Sequence, residues 1–158
     1  MVPVAPREAN PRVSIGEGRC AKPYSASIFN VSAMSFGSLS GKAIESLNKG
    51  AAEGGFAHNT GEGGISPHHL HGGDLIWQIG TGYFGCRNEQ GGFDSDAFAE
   101  CAKLDAVKMI EIKISQGAKP GHGGILPRAK ITPEVAAIRG VGMGADVISP
   151  PAHSAFST

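Results

Sequence analysis

The sequence lacks the features that mark several common classes of protein. Its 158 residues carry 14 Lys and Arg against 14 Asp and Glu, so no net charge favours nucleic acid or an anionic membrane as a partner. No apolar run approaches the ~20 residues of a membrane helix, and the first residues lack the pattern of a secretory signal. We therefore expect a cytoplasmic protein with no nucleic-acid partner and no membrane segment.

Metal-site and nucleophile motifs are also scarce. The cysteines are three in number and far apart, so they provide neither a disulfide framework nor a CxxC pair for zinc. His68, His69 and His71 share one loop but lack the helical spacing and the acidic neighbour of a zinc motif, which favours a polar loop over a metal site. No GxSxG elbow surrounds a serine. No metal and no hydrolytic nucleophile are predicted.

Glycine, by contrast, is abundant at 24 residues, and strand signals alternate with helix signals. The predicted strands are residues 12–15, 28–32, 56–59, 75–79, 107–114 and 146–149. Helices are predicted from three capping positions: Ser40 with a stop at residues 54–55, Asp94 or Ser95, and Thr132 with Pro133 next and Arg139 at the end. This alternation is typical of βαβ units and a parallel sheet.

Two parallel folds compete, the doubly wound sheet and the barrel. Four successive loops, SFGS, NTGEGG, GTGYFG and QGAKPGHGG, are rich in glycine and polar groups. A barrel directs every such loop to one face, whereas one loop dominates the ligand site of a doubly wound sheet, so the barrel is favoured. Four or five strands do not close an eight-stranded barrel. We expect a lead-in segment at residues 1–27, and at 28–158 the incomplete N-terminal half of a TIM (β/α)8 barrel, a fragment of a longer protein.

Two glycine-rich segments imitate nucleotide-binding motifs without matching them. In GSLSGKA the spacing to the lysine is one residue short of a P-loop, and Ala43 replaces the magnesium-binding Ser or Thr. Gly140, Gly142 and Gly144 follow a helix and precede a strand, the reverse of the dinucleotide-binding order. Neither segment predicts a nucleotide site.

Charged residues near the longest loop are the strongest chemical signal. Lys113 alternates with Ile112 and Ile114, so its side chain is either exposed to solvent or buried with an anionic partner, and the pattern alone favours exposure. Gln116 and Lys119 follow, and Arg139 comes twenty residues later. Amide and cationic groups of this kind suit carboxylate recognition, which predicts a small polyanionic ligand.

The strings SAMSFGSLS, NTGEGG, QIGTGYFG, IKISQGAKPGHGGILP and ISPPAHS resemble, in order and with similar spacing, the FMN-binding domain of glutamate synthases. The resemblance spans about residues 28–154, and QGAKPGxGG after IK is a highly specific signature. It implies an aldolase-type TIM barrel that carries FMN at its C-terminal face. It also implies flavin contacts from Ala33, Met34, Ser35 and Gln78, and from Lys113, which would stabilise negative charge on the reduced ring.

The resemblance also implies a substrate site and a reaction. Gln116, Lys119 and Arg139 would surround 2-oxoglutarate or its imine, with Lys119 and Arg139 on the two carboxylates. Glu62 would transfer protons as the imine forms. Lys119 and Glu62 are the predicted catalytic residues. The family reaction is reduction of 2-iminoglutarate, from 2-oxoglutarate and ammonia, to L-glutamate. An electron donor protein or subunit is the implied partner.

Several departures from the family pattern leave alternatives open. Ile125 stands where long-chain enzymes carry a glutamine, and Trp77 and Tyr83 replace basic residues. The glutaminase domain is missing, as are the later loops for the FMN phosphate and the cysteines of an iron–sulfur cluster, which we expect in a C-terminal part. The alternatives are a related flavin enzyme acting on another keto acid and amine, such as one forming N-methylglutamate, and a non-catalytic half-barrel.

Overall fold

The computed structural model describes residues 11–117 and 121–154 as a mixed α/β structure. Its strands are β1 (Arg12–Ile15), β2 (Tyr24–Ser27), β3 (His58–Asn59), β4 (Leu75–Ile79), β5 (Val107–Ile112), β6 (Gly124–Leu126) and β7 (Val147–Ser149). Its helices are α1 (Gly41–Gly54), α2 (Ser95–Ala102) and α3 (Pro133–Arg139), with 3₁₀ turns at Pro67–His69 and Arg128–Lys130. No helix in the described ranges is long and apolar enough to cross a membrane.

The predicted helix starts are confirmed by their capping hydrogen bonds. Ser40 accepts from the third residue of α1, and Gly55 ends that helix in the left-handed region at φ 64°. Asp94 accepts from two backbone N–H groups of α2. Thr132 caps α3, which has Pro133 in its first turn. Local side chains therefore fix where all three helices begin.

The central sheet is parallel, in the order β3-β4-β5. One face is apolar and covered, since Leu75, Trp77 and Ile79 of β4 are buried there and Trp77 stacks on Phe98 of α2 at 5.6 Å. Successive side chains of a strand point to opposite faces, so Gln78 projects from the other face. We call the face that carries Gln78 the open face.

Strand β5 forms an open edge of this sheet. Within residues 11–117 and 121–154 it pairs only with β4. Ile110, Ile112 and Ile114 are 41%, 55% and 74% exposed. The strand ends at Ile112, two residues before the predicted end. A row of unpaired backbone groups beside exposed isoleucines is a surface that folded proteins normally cover.

The lead-in segment contains two strands, whereas at most one was expected. β1 and β2 pair antiparallel, and Arg12 ties the hairpin to α1 by donating to the Gly55 carbonyl at 2.8 Å. The predicted strand at 28–32 is wrong, since only Val31 forms an isolated bridge, to His58. The Asn30 side chain bonds the Ser27 carbonyl and the Ala57 N–H, taking backbone partners that a regular ladder would use.

The last predicted strand does not extend the parallel sheet. β7 pairs antiparallel with β6, a strand that was not predicted because it lies in the glycine-rich loop. Leu126 and Val147 of this antiparallel pair pack with Phe84 and with Val135 of α3 in a core cluster. The described residues are therefore not a uniform series of βαβ units. The β6–β7 pair and α3 instead contact the loops that follow β3 and β4.

Candidate functional site

A carboxylate lies at the centre of the loops that follow the parallel strands. Glu62, in the NTGEGG loop after β3, is 17% exposed. Gln116 Nε2 donates to both of its oxygens, at 3.0 and 2.9 Å, and Ser149 Oγ donates to Oε1 at 3.3 Å. Lys113 Nζ lies 3.4 Å from Oε2. Three segments distant in sequence, the Glu62 loop, residues 113–116 and Ser149, thus meet at one negative charge.

Lys113 follows the last residue of β5 and is held rather than free in solvent. Its Nζ donates to Gln116 Oε1 at 2.8 Å in addition to its ion pair with Glu62. Its backbone N–H donates to the Ile79 carbonyl at 2.9 Å, which fixes it beside the end of β4. The solvent-exposed alternative is therefore wrong, and Lys113 is a partly buried cation with an anionic partner.

Two glycines make this convergence possible. A Cβ atom on Gly80 would lie 2.5 Å from Glu62 Oε2, and one on Gly124 would lie 3.1 Å from Gln116 Nε2. A side chain at Gly80 would displace the carboxylate. These positions give part of the glycine enrichment a reason, namely close approach of backbone to charged side chains.

Arg139, the last residue of α3, is a buried cation with few partners. It is only 4% exposed, its Nη2 donates to the Phe36 carbonyl at 3.2 Å, and its guanidinium lies 5.0 Å from the centre of the Phe84 ring. Its Nε has no hydrogen-bond partner within the described ranges. Burial lowers the pKa of Arg139, and the Glu62 carboxylate opposes this shift. Arg139 is therefore a buried cation near Glu62 with one donor left unpaired among the described residues.

A small cavity of about 190 Å³ connects these groups. It is smaller than the ~300–1,000 Å³ typical of pockets for drug-sized ligands. Its polar lining consists of Ser35, Ser38, Glu62, Gln116, Arg139 and Ser149, and its apolar lining of Ile125, Leu126 and Val147. The cavity is therefore small and has both a carboxylate and a guanidinium in its lining.

Residues 33–35 lead to this cavity, which Ser35 lines, and hydrogen bonds to Asn59 and His69 hold Met34 in place. Met34 donates its N–H to the Asn59 carbonyl at 3.1 Å. The Met34 carbonyl lies 3.0 Å from His69 Nε2, and His69 Nδ1 accepts from the Ser66 N–H, so the neutral ring carries its proton on Nε2. Burial lowers the pKa of His69, consistent with a neutral ring. Ala33 is exposed and Ser35 bonds Ser38.

Gln78 lies on the open face of the sheet, apart from the cavity. It is buried, and its Nε2 donates to Glu111 Oε1, which also accepts from Asn59 Nδ2 at 3.0 Å. The predicted site residues therefore occupy two adjoining regions. Glu62, Gln116 and Arg139 line the cavity, while Gln78 faces the sheet, and Lys113 lies between them.

The remaining residues singled out from the sequence are Lys119, Trp77, Tyr83 and Ile125. Lys119 lies outside the described residues. Trp77 and Tyr83, taken as departures that change the pocket, are both buried away from the cavity, Trp77 beneath α2 and Tyr83 beside Phe93. Of the three departures only Ile125 lines the cavity.

Sequence reasoning missed Ser38, Ser149, Asn59 and Glu111. The motifs SFGS, ISPP and NTGEGG contain the first three, so those strings were the available signal. Glu111 had none, because an alternating strand does not reveal which neighbours its polar side chains meet.

The loop histidines serve as a structural link. His68 lies 3.0 Å from Glu45 of α1 through Nδ1 and 3.0 Å from Glu134 of α3 through Nε2. His68 therefore joins α1 to α3 through one carboxylate on each helix. No group of three or more His, Cys, Asp and Glu side chains among residues 11–117 and 121–154 could hold a metal ion.

Many α/β domains that bind small molecules have a parallel sheet with charged side chains at the carboxyl ends of its strands. The described residues share this arrangement. The conserved region of glutamate synthases matches residues 6–158. The chain therefore belongs to the glutamate synthase family, whose named members indicate an oxidoreductase family.

Individual relatives agree with this assignment. The chain is 45% identical over 146 residues, 90% of its length, to a glutamate synthase large subunit-like protein of Bacillus subtilis, and covers 28% of that protein. It is 40% identical over 129 residues, 80% of its length, to the archaeal glutamate synthase [NADPH] of Archaeoglobus fulgidus, covering 22% of it. It is 39% identical over 132 residues, 79% of its length, to the glutamate synthase [NADPH] large chain of Bacillus subtilis, covering 8%. The chain thus spans between 8% and 28% of the length of these relatives.

Proposed function

We propose that this region supplies the substrate site and part of the FMN site of a glutamate synthase-type oxidoreductase, which reduces 2-iminoglutarate to L-glutamate. The observation that carries the proposal is the buried Arg139, whose Nε lacks a partner in the described ranges while its side chain lines a small polar cavity. A buried cation with an unsatisfied donor favours a carboxylate ligand. 2-Oxoglutarate and its imine each carry two carboxylates.

Each cavity residue has a proposed role. Arg139 and Gln116 bind carboxylate oxygens of the keto acid, and Lys119, on grounds of resemblance, binds the second carboxylate. Glu62 transfers protons as ammonia condenses with the keto group, because its carboxylate borders the cavity and is held by Gln116 and Lys113. On reduction, the imine carbon accepts a hydride and the nitrogen a proton.

The residues of the open sheet face fit a flavin. Lys113 presents a cation at the end of β5, Gln78 presents a fixed carboxamide, and residues 33–35 form a braced loop nearby. A cation beside the pyrimidine end of the ring would favour the reduced form. Bound FMN would supply the hydride, after reduction by an electron donor. An iron–sulfur cluster and the FMN phosphate anchors are proposed for a further part of the complete polypeptide.

The proposed architecture is the N-terminal half of a (β/α)8 barrel, with residues 1–27 as a lead-in segment. Support comes from the parallel order β3-β4-β5, from the loops at the carboxyl ends of those strands, and from the open edge of β5. The antiparallel pair β6–β7, with α3 between its strands in sequence, is proposed as an addition to the barrel that covers the strand ends.

A related reaction with another amine is the second candidate. Ile125 lines the cavity where long-chain family members carry a glutamine. An apolar side chain there would suit a methyl group, as in the formation of N-methylglutamate. Parallel assays with ammonium and methylamine distinguish the two reactions.

The test of the function uses the complete polypeptide with bound FMN and measures steady-state rates against 2-oxoglutarate. Arg139→Ala is expected to raise KM for the keto acid about 10- to 100-fold, because a charged hydrogen-bond donor is lost. Arg139→Lys keeps the charge and should recover part of the affinity. The matched control Arg128→Ala removes an exposed arginine outside the cavity and should leave KM unchanged.

Retained FMN in each variant verifies that the fold survives loss of the buried side chain. If KM for 2-oxoglutarate is the same in Arg139→Ala as in the wild type, the dicarboxylate assignment is wrong.

A further inference from the structure

Three polar side chains from adjacent strands meet on the open face of the sheet. Asn59 ends β3, Gln78 is in β4, and Glu111 is in β5 directly opposite Gln78 in the strand register. Asn59 and Gln78 are buried, whereas Glu111 is exposed. An exposed carboxylate thus holds two buried amides, an arrangement that the proposed reaction does not by itself use.

The hydrogen bonds fix which way each amide points. Asn59 Oδ1 accepts from the Gly61 N–H at 3.0 Å, so its NH₂ group must face the other way, where it donates to Glu111 Oε1 at 3.0 Å. Gln78 also donates through Nε2 to Glu111 Oε1. A carboxylate accepts but does not donate, so the Gln78 NH₂ group faces Glu111 and its Oε1 faces away.

These hydrogen bonds connect Glu111 both to the loop that carries Glu62 and to the sheet face that carries Gln78. Asn59, anchored by Glu111, holds Gly61 at the start of the loop that carries Glu62. Lys113 is two residues beyond Glu111 and therefore projects from the same side of the chain. The open face thus carries a cation and an anion next to the carboxamide proposed to contact the flavin.

We propose that Glu111 is a positioning residue that orients Gln78 toward FMN and opposes the charge of Lys113. The proposal rests on the proposed function. With Glu111 in place, Gln78 presents an acceptor oxygen to the ring. The negative charge of Glu111 disfavours added electrons on the flavin and so lowers its reduction potential, the reverse of the effect of Lys113.

The experiment measures the FMN dissociation constant and the midpoint potential in the complete polypeptide. Glu111→Gln keeps an acceptor oxygen at the same place but removes the charge, so we expect FMN affinity within about threefold of wild type and a higher potential. Glu111→Ala also frees the Gln78 amide and is expected to weaken FMN binding about tenfold. Glu100→Gln is the matched control, because it removes a carboxylate from the exposed surface of α2 and should change neither quantity.

A double-mutant cycle separates orientation from charge. In a Gln78→Met background, Glu111→Ala should no longer weaken FMN binding, whereas its effect on the potential should persist. An unchanged potential in Glu111→Gln with FMN fully bound would overturn the proposal while leaving the proposed function intact. A wild-type polypeptide that binds no FMN would overturn both.

Discussion

Lys113 shows how far the role of one residue depends on neighbours that are distant in sequence. On its strand it resembles any solvent-facing lysine between two isoleucines. In the fold its Nζ meets Gln116 at 2.8 Å and Glu62 at 3.4 Å, and Glu62 lies 51 positions earlier in the chain. A lysine in this setting has a defined position and can act on a bound group.

Lys113→Met in the complete polypeptide is expected to lower the midpoint potential of bound FMN and to weaken its retention, because a cation beside the reduced ring is lost. Potentiometry and the flavin content after gel filtration measure the two effects. Lys108→Met is the control, since that lysine lies in β5, five residues before Lys113, but contacts Asp105 and Asp74 away from the site. Equal potentials and equal flavin content in Lys113→Met and wild type would refute the role.

At the scale of elements, His68 of the loop after β3 links helices α1 and α3. His68 bonds Glu45 on α1 and Glu134 on α3, and its ring packs on Phe36 at 4.7 Å. Since α3 ends at Arg139, which lines the cavity, the link through His68 also helps to position that side chain.

Lowering the pH is expected to weaken the contact between Glu45 and His68. Hydrogen bonds from Lys42 and then His68 lower the pKa of Glu45 from 4.5 to about 2. A carboxyl whose pKa is lowered by folding stabilises the fold above its unfolded value, and that contribution is lost as the pH falls from 4.5 toward 2. Amide protection in α1, measured by hydrogen exchange between about pH 5 and about pH 2.5, should therefore fall with acid.

Glu45→Gln should reduce this fall, whereas the control Glu53→Gln, at an exposed position of the same helix, should not. A pH dependence of α1 protection that is identical in Glu45→Gln and wild type, after correction for intrinsic exchange rates, would contradict the assignment.

For the whole molecule, the unpaired edge and the open face of the sheet are expected to govern self-association. The unpaired side of β5 and its exposed isoleucines offer a template for further strands. In the proposed barrel the rest of the polypeptide covers them.

Residues 1–158 expressed alone are therefore expected to be colourless and to aggregate. The flavin would keep ring contacts from residues 33–35 and Lys113 but lack the phosphate anchors proposed for another part of the polypeptide. Absorbance between roughly 350 and 500 nm detects bound flavin, and light scattering gives the particle size. The complete polypeptide is the positive control. A yellow, monodisperse monomer with stoichiometric FMN would show that this region is self-sufficient and that the half-barrel proposal is wrong.

The sequence by itself determined those elements whose signals are local. Ser40, Asp94 and Thr132 cap helices because a side-chain oxygen reaches an N–H group two or three residues away. Strand β4 was predicted with its observed ends, since an apolar run bounded by glycines is also a local pattern. The motif strings were enough to indicate the family, which the comparison with known proteins confirmed.

Only the tertiary structure decided which groups meet. Gln116 and Ser149 reach Glu62 across 54 and 87 positions of sequence, and β7 pairs with β6 rather than with the parallel sheet. Such contacts depend on strand register, on the path of glycine-rich loops and on close approaches such as that at Gly80. The sequence pattern of each segment is compatible with many such arrangements. A strand pairing or a buried contact involves two segments, and the pattern of one segment does not specify its partner.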